Sequence, residues 1–460
     1  MSAQPASLGL GLKRLGGNAV LPFAAQIGAS LIGLALSGML GRTIGAKGLG
    51  TYAAALFLST MLVTLLEFGI SYANVFHIAG GDVNAREVMR ANIRIWSVIT
   101  VLGLAGSTVV IRVWGAKWFP GIPTTLLFIG LASFPPNLLQ FYCQSILQGH
   151  QDFKRFNALT VIVQLTTFIV SAVLILGFHF GVVAAVIAFL IGQIMSLLIT
   201  LWVLRPYLAR APETETHESW WVYGRKAVNY GWKQHLSTVI SFVNLRVDFF
   251  FVQMFLGQTD GGIYYAAIQM AEAMWIISKV VSTVLLPRLA ELRGQEETRQ
   301  QLTPLITRLV VWGTALASVI AAILVKPFIF LVWHRPEFAP AAVVLWVLLP
   351  GIVMWSATRI IAYDFSARGR PELNSYLAGI VLVINVALNI ILIPRYGMIG
   401  GAISTTVAYT ANSFATVYLY RQFNDIPSWK LFILQREDIT LLGQAAKAAM
   451  GKGRSVHHAE

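Results

Sequence analysis

The sequence predicts an all-α polytopic membrane protein, with about twelve transmembrane helices in two six-helix lobes related by a pseudo-two-fold axis along the membrane normal. Three observations carry this expectation. The 460 residues are 56% hydrophobic and 12% charged, with mean hydropathy +0.68, about half the roughly 25% charged share of a soluble domain. Apolar runs of spanning length, about 20 residues, recur along the whole chain, as in "AVLPFAAQIGASLIGLALSGML" (19–40), "LTVIVQLTTFIVSAVLILGF" (159–178) and "AGIVLVINVALNIILIPRYG" (378–397). Segments of the first half also reappear in the second at a nearly constant offset.

In order, the spans fall near 19–41, 50–76, 95–113, 121–147, 157–178, 181–204, 234–256, 262–286, 309–332, 341–363, 374–393 and 398–420. The first follows Lys13 and Arg14, as a secretory signal would, but its apolar run is too long for a signal core and no clear small-residue cleavage site follows. It reads as a retained helix. The fourth contains Pro135–Pro136, either a gating bend or a tolerated kink. Between the sixth and seventh, 205–233 is polar and charged and reads as a cytoplasmic linker. The expected organisation is an N-terminal lobe (1–204), the linker (205–233), a C-terminal lobe (234–420) and a basic cytoplasmic tail (421–460).

The repeat rests on three matches in order. "GLGTYAAALFLSTMLVTLLEFG" (48–69) aligns with "GGIYYAAIQMAEAMWIISKVVS" (261–282), Tyr52 falling opposite Tyr264 or Tyr265. "LQGHQDFKRFN" (147–157) aligns loosely with "ARGRPELN" (367–374), and "FGVVAAVIAFLIGQ" (180–193) with "YGMIGGAISTTVAY" (396–409). Each half holds an even number of spans, so the repeats share one orientation, with a substrate path between two parallel bundles.

Charge sets the expected orientation. With both termini in the cytoplasm, 24 of the 34 Lys and Arg face inward and 7 outward, and Arg246, Lys279 and Arg359 lie within spans. The net charge of +14 is thereby explained without a nucleic-acid partner. Cys143 is the only cysteine, which excludes an intrachain disulfide and a cysteine metal site; no metal is expected. "GRTIGAKGLG" (41–50) lacks the spacing of a phosphate-binding loop and follows a helix rather than a strand. There is no HExxH or GxSxG, and the outward loops are short, without clustered carboxylates. The expectation is a protein that is not an enzyme.

Sparse ionisable residues remain inside the spans: Glu67, Arg246, Asp248, Glu272, Lys279 and Arg359, with Asp364 at a helix end. Such residues mark pathways or sites by default, because charge is costly in a bilayer; static interhelical ion pairs are the alternative. On the seventh span Ser237, Ser241, Asn244 and Asp248 form one polar stripe. Arg246 lies about 160° from it, since two residues turn the helix by about 200°. Arg246 and Asp248 must therefore find separate partners. With no substrate present Arg246 is expected to lean on a carboxylate of another helix, Glu272 being nearest in depth. Trp275 precedes Lys279 by one turn, and Trp355 precedes Arg359, with Tyr363 one turn further, so ring and charge can meet. Such rings suit sugars or the bases themselves.

"GRTIGAKGLGTYAAALFLSTMLVTLLEFGISYA" (41–73), with Gly-x-Tyr and the acidic-Phe-Gly of Glu67-Phe68-Gly69, resembles the opening of the polysaccharide-transport branch of the multidrug/oligosaccharidyl-lipid/polysaccharide exporter superfamily. "ILQGHQDFKRFN" (146–157) and "NLRVDFFFVQMFLGQTDGGIYYAA" (244–267) are similar to the corresponding family segments. The likeness runs from about residue 10 to 425. It implies a flippase that moves a polyprenyl-pyrophosphate-linked oligosaccharide across the bacterial cytoplasmic (inner) membrane by alternating access. Arg246, Lys279 and Arg359 would then be head-group ligands, with Trp275, Trp355 and Tyr363 beside the substrate. Asp248, Glu272, Glu67 and Asn244 would be ion-coupling residues or charge partners, for H+ or Na+, with no cofactor. A polysaccharide polymerase or glycosyltransferases would be partners, besides membrane lipid. A drug or cation antiporter, using the carboxylates, and a non-transporting membrane scaffold remain alternatives.

Overall fold

The computed structural model describes residues 5–178, 181–210, 219–291, 296–368, 370, 372–424, 426–435 and 438. In a bilayer each backbone N–H and C=O must be satisfied within the segment, so apolar runs become helices. Thirteen α-helices result: α1 (Pro5–Leu66), α2 (Ile70–Ala79), α3 (Ala85–Trp118), α4 (Thr124–Leu131), α5 (Phe134–Gly149), α6 (Phe153–Ala172), α7 (Gly181–Arg210), α8 (Trp220–Leu256), α9 (Gln258–Glu291), α10 (Glu296–Trp333), α11 (Ala341–Ala367), α12 (Glu372–Tyr396) and α13 (Met398–Phe423). Among the described residues, 9 stretches are long and apolar enough to cross a membrane.

These elements resolve into the twelve expected spans. α1 is two spans joined by a hairpin turn at Gly45, whose φ of 72° and ψ of −178° are non-helical. α2 continues the second span after a break at Glu67–Gly69. α4 and α5 form the fourth, interrupted ahead of Pro135–Pro136, which open α5. There the Trp96 indole N–H donates to the Pro135 carbonyl at 2.8 Å, tying α3 to the first turn of α5. α9 (34 residues) and α13 (26 residues) are long enough to span at about 1.5 Å per residue.

The 205–233 connection corrects the expected organisation. α7 runs to Arg210 and α8 begins at Trp220, so most of the supposed linker is helix. The reason is visible in the spacing: Tyr223, Ala227 and Gly231 recur every fourth residue and are buried, while the charged residues between them face outward. The described residues of the tail also make tertiary contacts. Residues 426–435 and 438 return to the C-terminal lobe, where Arg308 of α10 holds Asp438 through two 2.7 Å bonds and donates to the Lys430 carbonyl at 2.6 Å.

One lobe comprises α1–α7, in which α1 packs on α4, α6 and α7, and α5 on α2, α3 and α7. The other comprises α8–α13, with α11 against α9, α10 and α13, and α12 against α8 and α13. The lobes meet through α1 with α9 and through α2 and α3 with α8. The end of the bundle carrying Arg86, Arg155 and Arg368 is the basic end, and the end carrying the Gly45 turn is the far end. At the far end α1 and α9 touch backbone to backbone. A Cβ on Gly50 would lie 1.9 Å from the Gln258 carbonyl oxygen, and one on Gly262 would lie 1.9 Å from that of Ala46. The contact is reciprocal at a fixed offset, as a two-fold between repeats requires, and it sets the register: Tyr52 pairs with Tyr264, not Tyr265.

Polar contacts close both ends. At the far end Arg42 donates to the Val332 carbonyl at 2.8 Å and to that of Leu331, capping α10. Arg335 returns a bond of 3.0 Å to the Arg42 carbonyl, and Glu337 accepts from the Ala46 N–H at 2.9 Å. At the basic end α2 lies along α8. Tyr223 donates to Asn74 Oδ1 at 2.7 Å, and the Phe76 and Tyr230 rings stack with centroids 4.3 Å apart.

Candidate functional site

Arg246 and Asp248 part company as their helical angles demand. Arg246 faces a cavity of about 360 Å³ between the lobes, lined by Ser37, Tyr52 and Thr60 of α1, Gln164 of α6 and Gln269 of α9 among others. There its guanidinium meets Glu272 of α9 at 2.9 Å, the side chains being 32% and 35% exposed. The carboxylate expected from depth alone is the one found. At that exposure the pair is worth about as much as a surface salt bridge, roughly 0–1 kcal/mol. It is weak enough to be exchanged.

Asp248 points the other way, into the interior of the C-terminal lobe, and is buried. Its carboxylate accepts from Asn385 Nδ2 at 3.0 Å and Asn389 Nδ2 at 2.6 Å, and from the Thr405 hydroxyl. Asn385 and Asn389 stand one turn apart on α12, and Thr405 on α13. All three are buried. No base bonds to this carboxylate among the described residues. Neutral donors make up its shell, with hydrogen bonds to a charged group worth about 1.5–3 kcal/mol each. Asn244, on the same stripe, donates to the Ala378 carbonyl of α12 at 3.1 Å rather than to Asp248.

Glu67 has a different employment. It is buried, accepts from the Gly69 N–H at 2.8 Å and the Ser71 N–H at 2.5 Å, and faces His235 Nδ1 of α8 at 3.4 Å. It caps the break between α1 and α2, where Gly69 (φ 75°) turns left-handed against the Gly231 backbone. Its capacity is taken up by backbone N–H groups and one interlobe partner. His235 was not singled out from the sequence, since a lone histidine at a span boundary carries no pattern.

Arg359 is not beside Arg246. It lines a second cavity of about 280 Å³ within the C-terminal lobe, together with Ser237, Ser241, Trp355, Tyr363, Asn412 and Thr416. The expected ring-over-charge contact with Trp355 is absent from the cation–ring pairs of the described residues. Trp355 turns instead to Tyr409 of α13, with centroids 4.5 Å apart, and Trp275 approaches the same ring at 6.2 Å. A neighbouring helix has outcompeted the next turn of the same helix. Lys279 lies on α9, but its side chain falls outside the described residues.

Asp364 answers the static-pair alternative for its own neighbourhood. It is buried at the basic end between Arg299 Nε at 2.9 Å and Arg368 Nε at 2.7 Å. That network ties α10 to α11 and faces neither cavity. Among the described residues no three His, Cys, Asp or Glu come together to hold a metal ion.

The comparisons with known proteins fit this arrangement. A Shigella flexneri protein named as an O-antigen transporter is 21% identical over 406 residues, covering 85% of this chain and 94% of that protein. A Haloferax volcanii protein named as the low-salt glycan biosynthesis flippase Agl15 is 23% identical over 204 residues, which span 44% of this chain and 43% of that protein. Among solved structures, the lipid II flippase MurJ in an inward closed conformation superposes with TM-score 0.72 at 16% identity, covering 90% of this chain and 89% of MurJ. An inward-facing multidrug resistance MATE family transporter of the MOP superfamily superposes with TM-score 0.67 at 14% identity, covering 88% of this chain and 97% of the transporter. Both share the fold. Residues 15–293 match the family described as polysaccharide biosynthesis protein, and the chain belongs to that family.

Proposed function

We propose that this protein is a flippase that carries a polyprenyl-pyrophosphate-linked oligosaccharide across the bacterial cytoplasmic membrane by alternating access, without catalysing a reaction. The observation that carries the reading is Arg246, which lines the interlobe cavity and is held only by a partly exposed pair with Glu272. A guanidinium binds phosphate through two parallel charge-assisted bonds. The pyrophosphate displaces Glu272 and takes its place on Arg246. Occupancy is then linked to conformation, because Arg246 and Glu272 stand on different helices, α8 and α9.

The basic end faces the cytoplasm in this reading, as do both termini, following the distribution of Lys and Arg. The lipid-linked glycan enters from the inner leaflet, and outward release requires the far-end contacts to part, namely Gly50 against Gly262 and Arg42 against α10. The cavity of about 360 Å³ lies at the low end of ligand cavities, about 300–1,000 Å³. It suits the pyrophosphate and the first sugar, and a longer glycan needs the lobes to separate. Asp248 takes up H+ or Na+ to drive the cycle, in exchange for hydrogen bonds that it accepts from Asn385, Asn389 and Thr405. A polymerase or glycosyltransferases of the same polysaccharide pathway are the expected partners.

The second reading, a drug or cation antiporter, draws on the same Asp248 shell and on the shared fold of the MATE transporter. The cavity lining weighs against it, since among the described residues it carries Arg246 and no carboxylate. Depleting the protein in its own cell separates the two. Flippase function predicts a loss of surface polysaccharide and a build-up of lipid-linked oligosaccharide on the cytoplasmic leaflet. Unchanged polysaccharide with heightened sensitivity to cationic compounds would favour the antiporter.

A further inference from the structure

The second cavity, which opens within the C-terminal lobe between α8, α11, α12 and α13, has no part in the translocation path described above. What distinguishes it is polar groups without partners. Arg359 Nη1, Thr358 Oγ1, Asn412 Oδ1 and Thr416 Oγ1 all line it, are buried, and have no hydrogen-bond partner in the structure. Thr358, Asn412 and Thr416 are 7%, 3% and 1% exposed. Ser237 and Ser241 add two further hydroxyls from the stripe on α8.

The charge balance is as telling as the orphan atoms. Arg246, Arg299, Arg308 and Arg368 each hold a carboxylate at 2.7–2.9 Å. Arg359 has no carboxylate partner among the described residues. Buried polar groups are ordinarily paired, and a guanidinium with one nitrogen buried and unpartnered is best matched by an anion. The surrounding groups are matched to an anion too: hydroxyls rotate to donate, and an amide presents N–H after a flip that coordinates alone do not distinguish.

We propose that this cavity is a binding site for a phosphate group, held by Arg359 and by the hydroxyl and amide groups of Thr358, Asn412 and Thr416. The phosphate comes either from the head group of an anionic lipid or from free phosphate. The site is separate from the Arg246 cavity and does not depend on the flippase reading. Water could fill the same space, but water leaves the charge of Arg359 uncompensated.

The test uses the purified full chain carrying Arg246→Gln, which silences the interlobe cavity. Thermal stabilisation is titrated with inorganic phosphate in detergent, and with phosphatidylglycerol in phosphatidylcholine nanodiscs. The expected result is saturable stabilisation by at least one of these, weakened tenfold or more in apparent Kd when Arg359→Gln is added. Asn412→Leu, which fills the cavity and leaves the charge in place, should weaken it similarly and guards against misfolding of the first variant. Response to phosphate alone identifies a free-anion site, and response to phosphatidylglycerol alone identifies a lipid site. Equal stabilisation with and without Arg359, or no stabilisation in the Arg246→Gln protein, overturns the proposal.

Discussion

Removing the Arg246 guanidinium tests the exchange of one anion for another, because it predicts different outcomes for binding and for stability. With side chains 32% and 35% exposed, the Arg246–Glu272 pair contributes to stability at the level of a surface ion pair, below about 1 kcal/mol. Arg246→Ala should therefore leave the protein inserted and produced at a normal level. Its contact with the pyrophosphate is charge-assisted, worth about 1.5–3 kcal/mol, or roughly 10–150-fold in affinity at 1.4 kcal/mol per decade. Arg246→Lys keeps the charge without the planar fork and should fall between. Glu272→Gln works in the opposite direction: it removes the competing anion, so substrate should bind at least as tightly while turnover slows for want of a reset. The assay is a binding titration of purified variants against a short-chain polyprenyl-pyrophosphate oligosaccharide, with thermal unfolding measured in parallel. If Arg246→Ala binds like the wild type, or if it costs several kcal/mol of stability with no specific loss of binding, the pair is structural and the exchange does not operate.

Other consequences can be checked separately. Asp248→Asn should abolish the dependence of transport on an ion gradient while leaving substrate binding intact, and unchanged dependence would remove Asp248 from coupling. Gly262→Leu drives a side chain into the Ala46 carbonyl, which a Cβ alone would already meet at 1.9 Å. Overpacking of this kind costs about 1–3 kcal/mol, and it should expose a cysteine placed at Ser37 to an impermeant thiol reagent in a Cys143→Ser background. At the basic end, the Arg308 hydrogen bonds hold the Asp438 carboxyl below the usual carboxylate range. A lowered folded-state pKa gives stability that is present above the unfolded value and lost as pH falls through the folded one. Tail docking should persist at neutral pH and loosen in acid, read as protease cleavage near 435, and Asp438→Asn should loosen it already at neutral pH.

Much of this architecture was legible in the sequence because a bilayer enforces it. Hydropathy located the twelve spans, and the repeat placed the lobes before any contact was known. The helical angle between Arg246 and Asp248 foretold that they would face different surroundings, and depth alone named Glu272 as the partner. The α8 extension from Trp220 was hidden by its charged face, since outside the bilayer a polar helix and a polar loop look alike until the buried positions at every fourth residue are read together. Asn385 and Asn389, one turn apart in "INVALNIIL", mark a polar face of α12, but spacing on one helix does not tell which residue of another helix it meets. Trp355 could not be placed from its own helix. Its rotamer is set by Tyr409 on another helix, and sequence spacing carries no information about that choice.

Transbilayer movement by the purified chain tests the central claim most directly. Vesicles carrying the protein and a fluorescent polyprenyl-pyrophosphate oligosaccharide are challenged with an external reagent that quenches only the outer leaflet. The account predicts that quenching proceeds past the outer-leaflet fraction with wild-type protein, faster under an ion gradient, and stops at that fraction with Arg246→Ala. Movement of a cationic dye with no movement of the lipid-linked oligosaccharide, or equal lipid movement by wild type and Arg246→Ala, would contradict it.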